Sequence, residues 1–282
     1  MTNILEAIYN IVNHKNYAIR EFYSGRNRAN SMGDALENYV KDAFANSFQI
    51  EDEKSRMEIH SKEFSWLGTQ NNPPDIMIRG GDAIEVKKTQ SANTKLALNS
   101  SYPKSDLRVT SPMITKDCKN CEDWKVKDLI YCVGHTSDKS LNSLWMVYGN
   151  IFAAKHEIYQ RIKTAITSGI NLIPDVVFSN TKELGRVNQV DPLGITNLRI
   201  RGMWHIENPR KVFDYLHKSQ ENKFELITII PKFKFQSFPK ESILKLQKIT
   251  QKGFTIEDVK VKNPNNPAIL IDCKLIKFQI NE

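Results

Sequence analysis

Asp75, Glu85 and Lys87 are the residues of this chain whose types and spacing most directly suggest chemistry. They occur as Pro74-Asp75, nine intervening residues, then Glu85-Val86-Lys87. Two neighbouring carboxylates repel each other by roughly 1 kcal/mol at 4 Å in water, and by more when partly buried. A divalent cation relieves that repulsion, and Mg²⁺ prefers one or two carboxylates plus waters and phosphate oxygens. A lysine beside them can orient or help deprotonate a water and offset charge building on a phosphate. Metal-assisted phosphodiester hydrolysis needs those parts. The alternative is a surface hairpin with a Glu85–Lys87 or Asp75–Lys88 ion pair, because this spacing also recurs by chance.

The flanking residues favour the catalytic reading. Residues 75–79 read as a short strand, Gly80-Gly81-Asp82 as a turn and 83–88 as the returning strand. Side chains alternate along a strand, so Ile84 and Val86 face a core while Glu85 and Lys87 share the other face. A hairpin of this length carries Asp75 to that second face. Upstream, Ile4, Leu5, Ile8, Ile11 and Val12 predict a helix over 3–14. Ser31 with Asp34 predicts a capped helix start, running through Leu36, Tyr39, Val40, Ala43 and Phe44. Downstream, strands are expected at 128–134, 143–149, 224–231 and 268–280, with a turn at 263–267. Helices are expected at 151–168, ending on Gly169, and at 240–250. Lys232-Phe233-Lys234-Phe235 reads as a half-buried strand in preference to a base-stacking ribbon. Strands separated by helices predict an α/β fold with a mixed sheet.

The stretch 182–210 is the candidate for reading a nucleic acid. Arg199-Ile200-Arg201 puts two guanidinium groups on one strand face, and arginine bonds guanine O6 and N7 in bidentate fashion. Arg186, Asn188 and Gln189 are further candidate readers. Asn99, Ser100, Ser101 and Lys104 follow the catalytic hairpin and have the chemistry to grip phosphates. For the arginines the alternative is a phosphate clamp or a solvated basic face, and for 99–104 an ordinary loop.

The 282 residues suit one domain spanning 1–282; there is no repeat, low-complexity linker or evident break. A net charge of +8 and a pI near 9.1 suit a polyanionic partner without requiring one. No apolar run reaches membrane-spanning length and the N-terminus lacks a signal-peptide pattern, so a cytoplasmic protein with no membrane partner is expected. Cys118-x2-Cys121 and Cys132-x2-His135 have zinc-ligand flavour, but 129–134 also reads as a buried strand in which Cys132 is a small core residue. The six histidines form no metal-spaced pair with one another.

The Asp75, Glu85 and Lys87 set resembles the PD-(D/E)xK nuclease superfamily, with no departure at the three positions. The resemblance narrows to NgoPII-type type II restriction endonucleases through four blocks. These are residues 24–37 (SGRNRANSMGDALE), Gln70-Asn71-Asn72-Pro73-Pro74-Asp75, 98–104 (LNSSYPK), and the run from Glu183-Leu184-Gly185-Arg186 through 191–196 (DPLGIT) to Arg201-Gly202-Met203-Trp204. Beyond about residue 215 the chain is less distinctive. The resemblance implies a PD-(D/E)xK core, a central mixed β-sheet flanked by helices. It implies Asp75 and Glu85 as Mg²⁺ ligands, Lys87 as the residue assisting the attacking water, and double-stranded DNA cleaved at GGCC. It also implies a partner DNA methyltransferase. Glu37, on the preceding helix, takes the place of a glutamate that approaches the metal in many such enzymes; an i,i+4 pair with Lys41 is the alternative. Cutting both strands of a palindrome is met most simply by a homodimer, in which each subunit reads two guanines. The rivals are a structure-specific or repair nuclease on the same core, and a non-catalytic DNA-binding protein, with or without a stabilising zinc.

Overall fold

The computed structural model describes residues 2–14, 16–24, 31–69, 72–91, 93–98, 100–111, 113–137, 139–219 and 223–280. The N-terminal apolar spacing folds as α1 (Ile4–His14), with Ile4, Leu5, Ile8, Ile11 and Val12 all buried. After α2 (Ile19–Ser24), α3 (Met32–Ala45) starts with a reciprocal cap. The Ser31 hydroxyl accepts from the Asp34 backbone N–H, and the Asp34 carboxylate accepts from the Ser31 N–H. Two amides that a helix start leaves unpaired are satisfied in this way. α4 (Glu53–Glu63) packs beside α3, and a buried polar cluster joins α2, α3 and α4. Asp42 accepts from the Tyr23 hydroxyl at 2.8 Å and the Ser47 hydroxyl at 2.5 Å, and lies 3.0 Å from His60 Nε2 and 3.7 Å from Arg56 Nη1. Burial alone would raise the Asp42 pKa, but the hydrogen bonds from His60, Ser47 and Tyr23 outweigh it and lower the value.

The sheet begins with β1 (Phe64–Thr69), β2 (Asn72–Ile78) and β3 (Ala83–Thr89). Short strands β4 (Leu96–Ala97) and β5 (Asp106–Arg108) follow, then α5 (Lys116–Asn120) and a long hairpin, β6 (Val126–Ser137) and β7 (Ser140–Tyr148). Next come α6 (Gly149–Phe152), α7 (His156–Ile170), β8 (Val177–Phe178), β9 (Gly185–Asn188), β10 (Leu198–Ile200), β11 (His205–Ile206) and α8 (Pro209–Val212). The chain closes with β12 (Phe224–Pro231), α9 (Lys232–Ser237), α10 (Lys240–Gln247), β13 (Phe254–Asn263) and β14 (Asn266–Ile280). Among the described residues the main sheet has nine strands, ordered β1-β2-β3-β6-β7-β12-β14-β13 with β5 on β6. The pairs β3/β6 and β7/β12 are parallel and the others antiparallel, so the sheet is mixed. Every residue of β12 is buried, as expected of a central strand covered on both faces. A separate three-stranded sheet, β10-β9-β8, and the pair β11-β4 complete the strands.

Several elements depart from expectation. The helix expected over 151–168 is two, because α6 is buried beside the sheet while α7 buries no residue; Ala153 between them is extended, and Asn171 rather than Gly169 caps α7. Lys232–Phe235 is not a strand but opens α9. There Phe235 is buried and Lys234 reaches inward, donating to Asp82 and Asp128 at 2.7 Å each. β13, unforeseen, is a long edge strand along β14.

Candidate active site

The candidate hairpin carrying Asp75, Glu85 and Lys87 is held at both ends. At the turn, Asp82 accepts from Lys234 and from the Tyr148 hydroxyl at 2.7 Å, and Lys127 donates to the carbonyls of Ile78 and Gly81. At the other end β2 and β3 part company. Their ladder pairs only Ile76 with Ile84 and Met77 with Ala83. β3 instead continues in parallel register along β6, from Ala83 opposite Leu129 to Thr89 opposite His135. On its outer side β2 pairs Leu67 with Ile76 and Thr69 with Asn72, so Pro73, Pro74 and Asp75 bulge opposite Gly68 alone. A Cβ at Gly68 would sit 2.8 Å from the carbonyl oxygens of Pro74 and Asp75, so only glycine admits this approach. The Trp66 indole N–H donates to the Pro74 carbonyl at 3.1 Å.

This bulge turns Asp75 toward β3. Asp75 Oδ2 accepts from the Val86 backbone N–H at 2.6 Å, and Lys87 Nζ donates to Glu85 Oε1 at 2.6 Å. Burial, followed by the nearby Glu85 charge, pushes the Asp75 carboxyl up to about 7, with Lys87 and the Val86 bond pulling the other way. For Lys87, burial opposes the charge, but Glu85, Asp75 and Glu37 together outweigh it and raise the pKa. Glu37 on α3 is therefore within electrostatic reach of the cluster. It also makes the alternative pair, with Lys41 Nζ at 2.6 Å from Oε1. Gly134 in β6 allows α3 to approach this closely: a Cβ there would lie 2.7 Å from the Leu36 methyls. Asp75, Glu85 and Lys87 thus converge with Glu37 at their edge. Two carboxylates crowded so that the charged form of Asp75 is disfavoured fit the partial shell of a divalent cation.

Ser101 and Lys104 line a cavity with Glu85, Pro73, Tyr102 and Tyr131. Lys104 is clamped through its backbone, which donates to the Tyr131 hydroxyl at 2.8 Å and accepts from it at 3.1 Å. Its ammonium contacts the Ser101 hydroxyl and the Tyr102 carbonyl, with no carboxylate partner among the described residues. Burial pushes its pKa down to about 8. Ser100 opens instead into a second cleft, shared with Asn72, Glu183, Arg199 and Arg201. The two arginines therefore lie across one cleft from the start of β2, the strand that carries Asp75. The Leu98 N–H donates to the Trp204 carbonyl, and β4 pairs with β11, fixing the 96–98 and 204–206 segments to each other. Arg186 stands opposite Arg199 in β9, Asn188 ends that strand, and Gln189 follows with a left-handed backbone, φ 52. Asn99, like residues 25–30, Gln70 and Asn71, lies outside the described residues.

The four zinc candidates are not gathered into one cluster. Cys118, Cys121, Cys132 and His135 are all described, and among the described residues no three His, Cys, Asp or Glu side chains are placed to hold a metal together. Cys118 Sγ contacts Met77 Sδ, Cys121 Sγ donates to the Cys118 carbonyl, and Cys132 is buried in β6 between Val86 and Met146. Burial pushes the Cys118 thiol up to about 12 and raises that of Cys132, so both keep their protons. The residues that sequence reasoning missed are the ones that support others: Gly68 beneath Asp75, Tyr131 beneath Lys104, and Glu183 between the arginines. For Tyr131 and Glu183 the partner is remote in sequence, while Gly68 meets its partner across the β1–β2 hairpin.

No helix among the described residues is long and apolar enough to cross a membrane. No solved structure matches the chain. The family model of the NgoPII restriction endonuclease matches residues 2–262, extending well beyond the blocks that first suggested it. The type II restriction enzyme NgoPII of Neisseria gonorrhoeae is 49% identical over 280 residues, which is 99% of this chain and 100% of the relative. A match of that extent places this chain in the NgoPII restriction endonuclease family.

Proposed function

We propose that this protein hydrolyses phosphodiester bonds of double-stranded DNA at a short palindrome, GGCC, in a Mg²⁺-dependent reaction. Asp75 and Glu85 would hold the ion, with Glu37 at its margin. Bound there, Mg²⁺ supplies a Lewis acid for the phosphate and a more acidic water. Lys87, held by Glu85, positions the attacking water and offsets charge on the phosphate. Lys104, Ser101 and Ser100 grip the backbone, and Asn99, adjacent in sequence, is a further candidate. Segment 182–210 reads bases through Arg199 and Arg201, with Arg186, Asn188 and Gln189 beside them. The unit is a single PD-(D/E)xK domain over 1–282, acting as a homodimer so that two equivalent sites face the two strands. It works in the cytoplasm beside a DNA methyltransferase that protects the host sites.

The observation that carries this reading is the crowding of Asp75 against Glu85 and Lys87 beside a cleft that also holds two arginines. The test is a digest of unmethylated plasmid by wild type and Asp75→Ala, with and without Mg²⁺, followed by sequencing of the fragment ends. Discrete ends within GGCC, from wild type with Mg²⁺ alone, are expected. Discrete ends elsewhere would keep the nuclease and overturn the specificity. Cleavage of branched DNA alone would point to a structure-specific nuclease.

A further inference from the structure

Glu183 immediately precedes Leu184, whose N–H donates to the Ile200 carbonyl at 3.1 Å. That backbone bond sets the Glu183 carboxylate beside the end of β10. Its Oε2 accepts from Arg199 Nε at 3.0 Å, and its Oε1 accepts from Arg199 Nη2 at 2.8 Å and from Arg201 Nε at 2.5 Å. One carboxylate therefore grips two guanidinium groups, and its side chain is 14% exposed while theirs are 56% and 57% exposed. Hydrogen bonds from Arg199, and then from Arg201, keep Glu183 below the usual carboxylate range, so it is ionised. Neither arginine has another partner among the described residues. In both, the outer edge formed by Nη1 and Nη2 retains unbonded N–H groups, the edge that meets guanine O6 and N7. Arg186 stands directly opposite Arg199, and like charges so placed destabilise a strand pair.

We propose that Glu183 is a positioning residue for base recognition: it fixes Arg199 and Arg201 in one array whose free edges meet adjacent guanines. This rests on the reading of those arginines proposed above. Held in advance, the two long side chains lose little freedom on binding. A carboxylate in a DNA-facing cleft also repels phosphates, so Glu183 weakens binding to other sequences while strengthening binding to the right one. The two effects have opposite signs, and a merely structural role would not produce both.

The experiment measures binding of fluorescent duplexes by wild type, Glu183→Ala, Glu183→Asp, Arg199→Ala and Arg201→Ala in chelator, which keeps the DNA intact. One duplex contains GGCC and others carry a single exchanged pair. Glu183→Ala is expected to lower the affinity ratio between them by roughly tenfold. It should bind the exchanged duplexes as well as wild type or better, and Glu183→Asp should recover part of the ratio. Proportionate weakening or tightening on all duplexes in Glu183→Ala would overturn the inference. If the arginine variants lose discrimination while Glu183→Ala keeps it, this inference alone falls. If the arginine variants weaken all duplexes equally, they are phosphate contacts, and the recognition reading falls together with this one.

Discussion

Asp75 Oδ2 accepts the backbone N–H of Val86 at 2.6 Å, the bond that substitutes for a ladder contact where β2 leaves β3. The strand that carries Glu85 and Lys87 is thereby tied to the Asp75 carboxylate. Splaying opens space beside the cluster, and the side-chain bond keeps the separation fixed. The same arrangement buries Asp75 near Glu85, so the charged carboxylate is disfavoured until something positive joins it.

Asp75→Asn is expected to stabilise the metal-free protein while abolishing cleavage. A carboxyl raised from 3.8 to about 7 holds its proton more tightly in the folded state. Its favourable contribution is complete below pH 3.8 and is lost as pH rises through 7. A shift of that size corresponds to at most about 4 kcal/mol, because neighbouring groups relax. Asn keeps an oxygen for Val86 and carries no charge. Thermal melts in chelator at pH 8 should place the variant several degrees above wild type. An unchanged or lower melting temperature would mean that Asp75 is not destabilised by its surroundings.

Gly68→Ala is expected to lower cleavage by at least roughly tenfold, since a displacement of about 1 Å at a catalytic group costs on the order of 100-fold. Its Cβ would press on the Pro74 and Asp75 carbonyls, moving the bulge that aims Asp75. Single-turnover rates set against duplex affinity check this: the rate should fall while affinity stays near wild type. Equal losses in both would point to general misfolding.

Lys104 supplies a pH signature on binding. Its ammonium, lowered to about 8, is charged below that value and neutral above it. Wild-type affinity for duplex DNA should therefore weaken between pH 7 and 9 more than that of Lys104→Met. The salt dependence of binding at pH 7 should be shallower in Lys104→Met by about one phosphate contact. Identical pH and salt profiles would remove Lys104 from the DNA contact.

Asp42→Asn should destabilise the fold by about 3 kcal/mol or more, the scale for breaking a buried charged network. Because the folded pKa of Asp42 is lowered, its contribution is complete above the unfolded value. It is lost as pH falls through the folded one. The gap between wild type and variant in denaturant melts should thus be widest near neutral pH and close under acid conditions. A gap that widens as pH falls would contradict the assignment.

By itself the sequence determined the elements with strong local signals. Period-3.6 apolar spacing marked α1, Ser31 with Asp34 marked the start of α3, and the continuous apolar run marked β12. The Gly80-Gly81 turn and the alternation after it put Glu85 and Lys87 on one face, and the motif blocks pointed to the family. Where burial and polarity part from the local pattern, the sequence was mute or misleading. α4 buries only Arg56 and His60, so it carries no apolar stripe. Lys232–Phe235 alternates like a strand but is helical, because Lys234 finds two carboxylates far away in sequence. The Cys118, Cys121, Cys132 and His135 spacing has zinc-ligand flavour, yet no three of these side chains are gathered by the fold. Only the tertiary structure decided how far Asp75 is crowded, which loop brings Lys104 beside Glu85, and that Glu183 joins Arg199 to Arg201. Each of those depends on contacts between segments whose separation along the chain leaves no periodic trace.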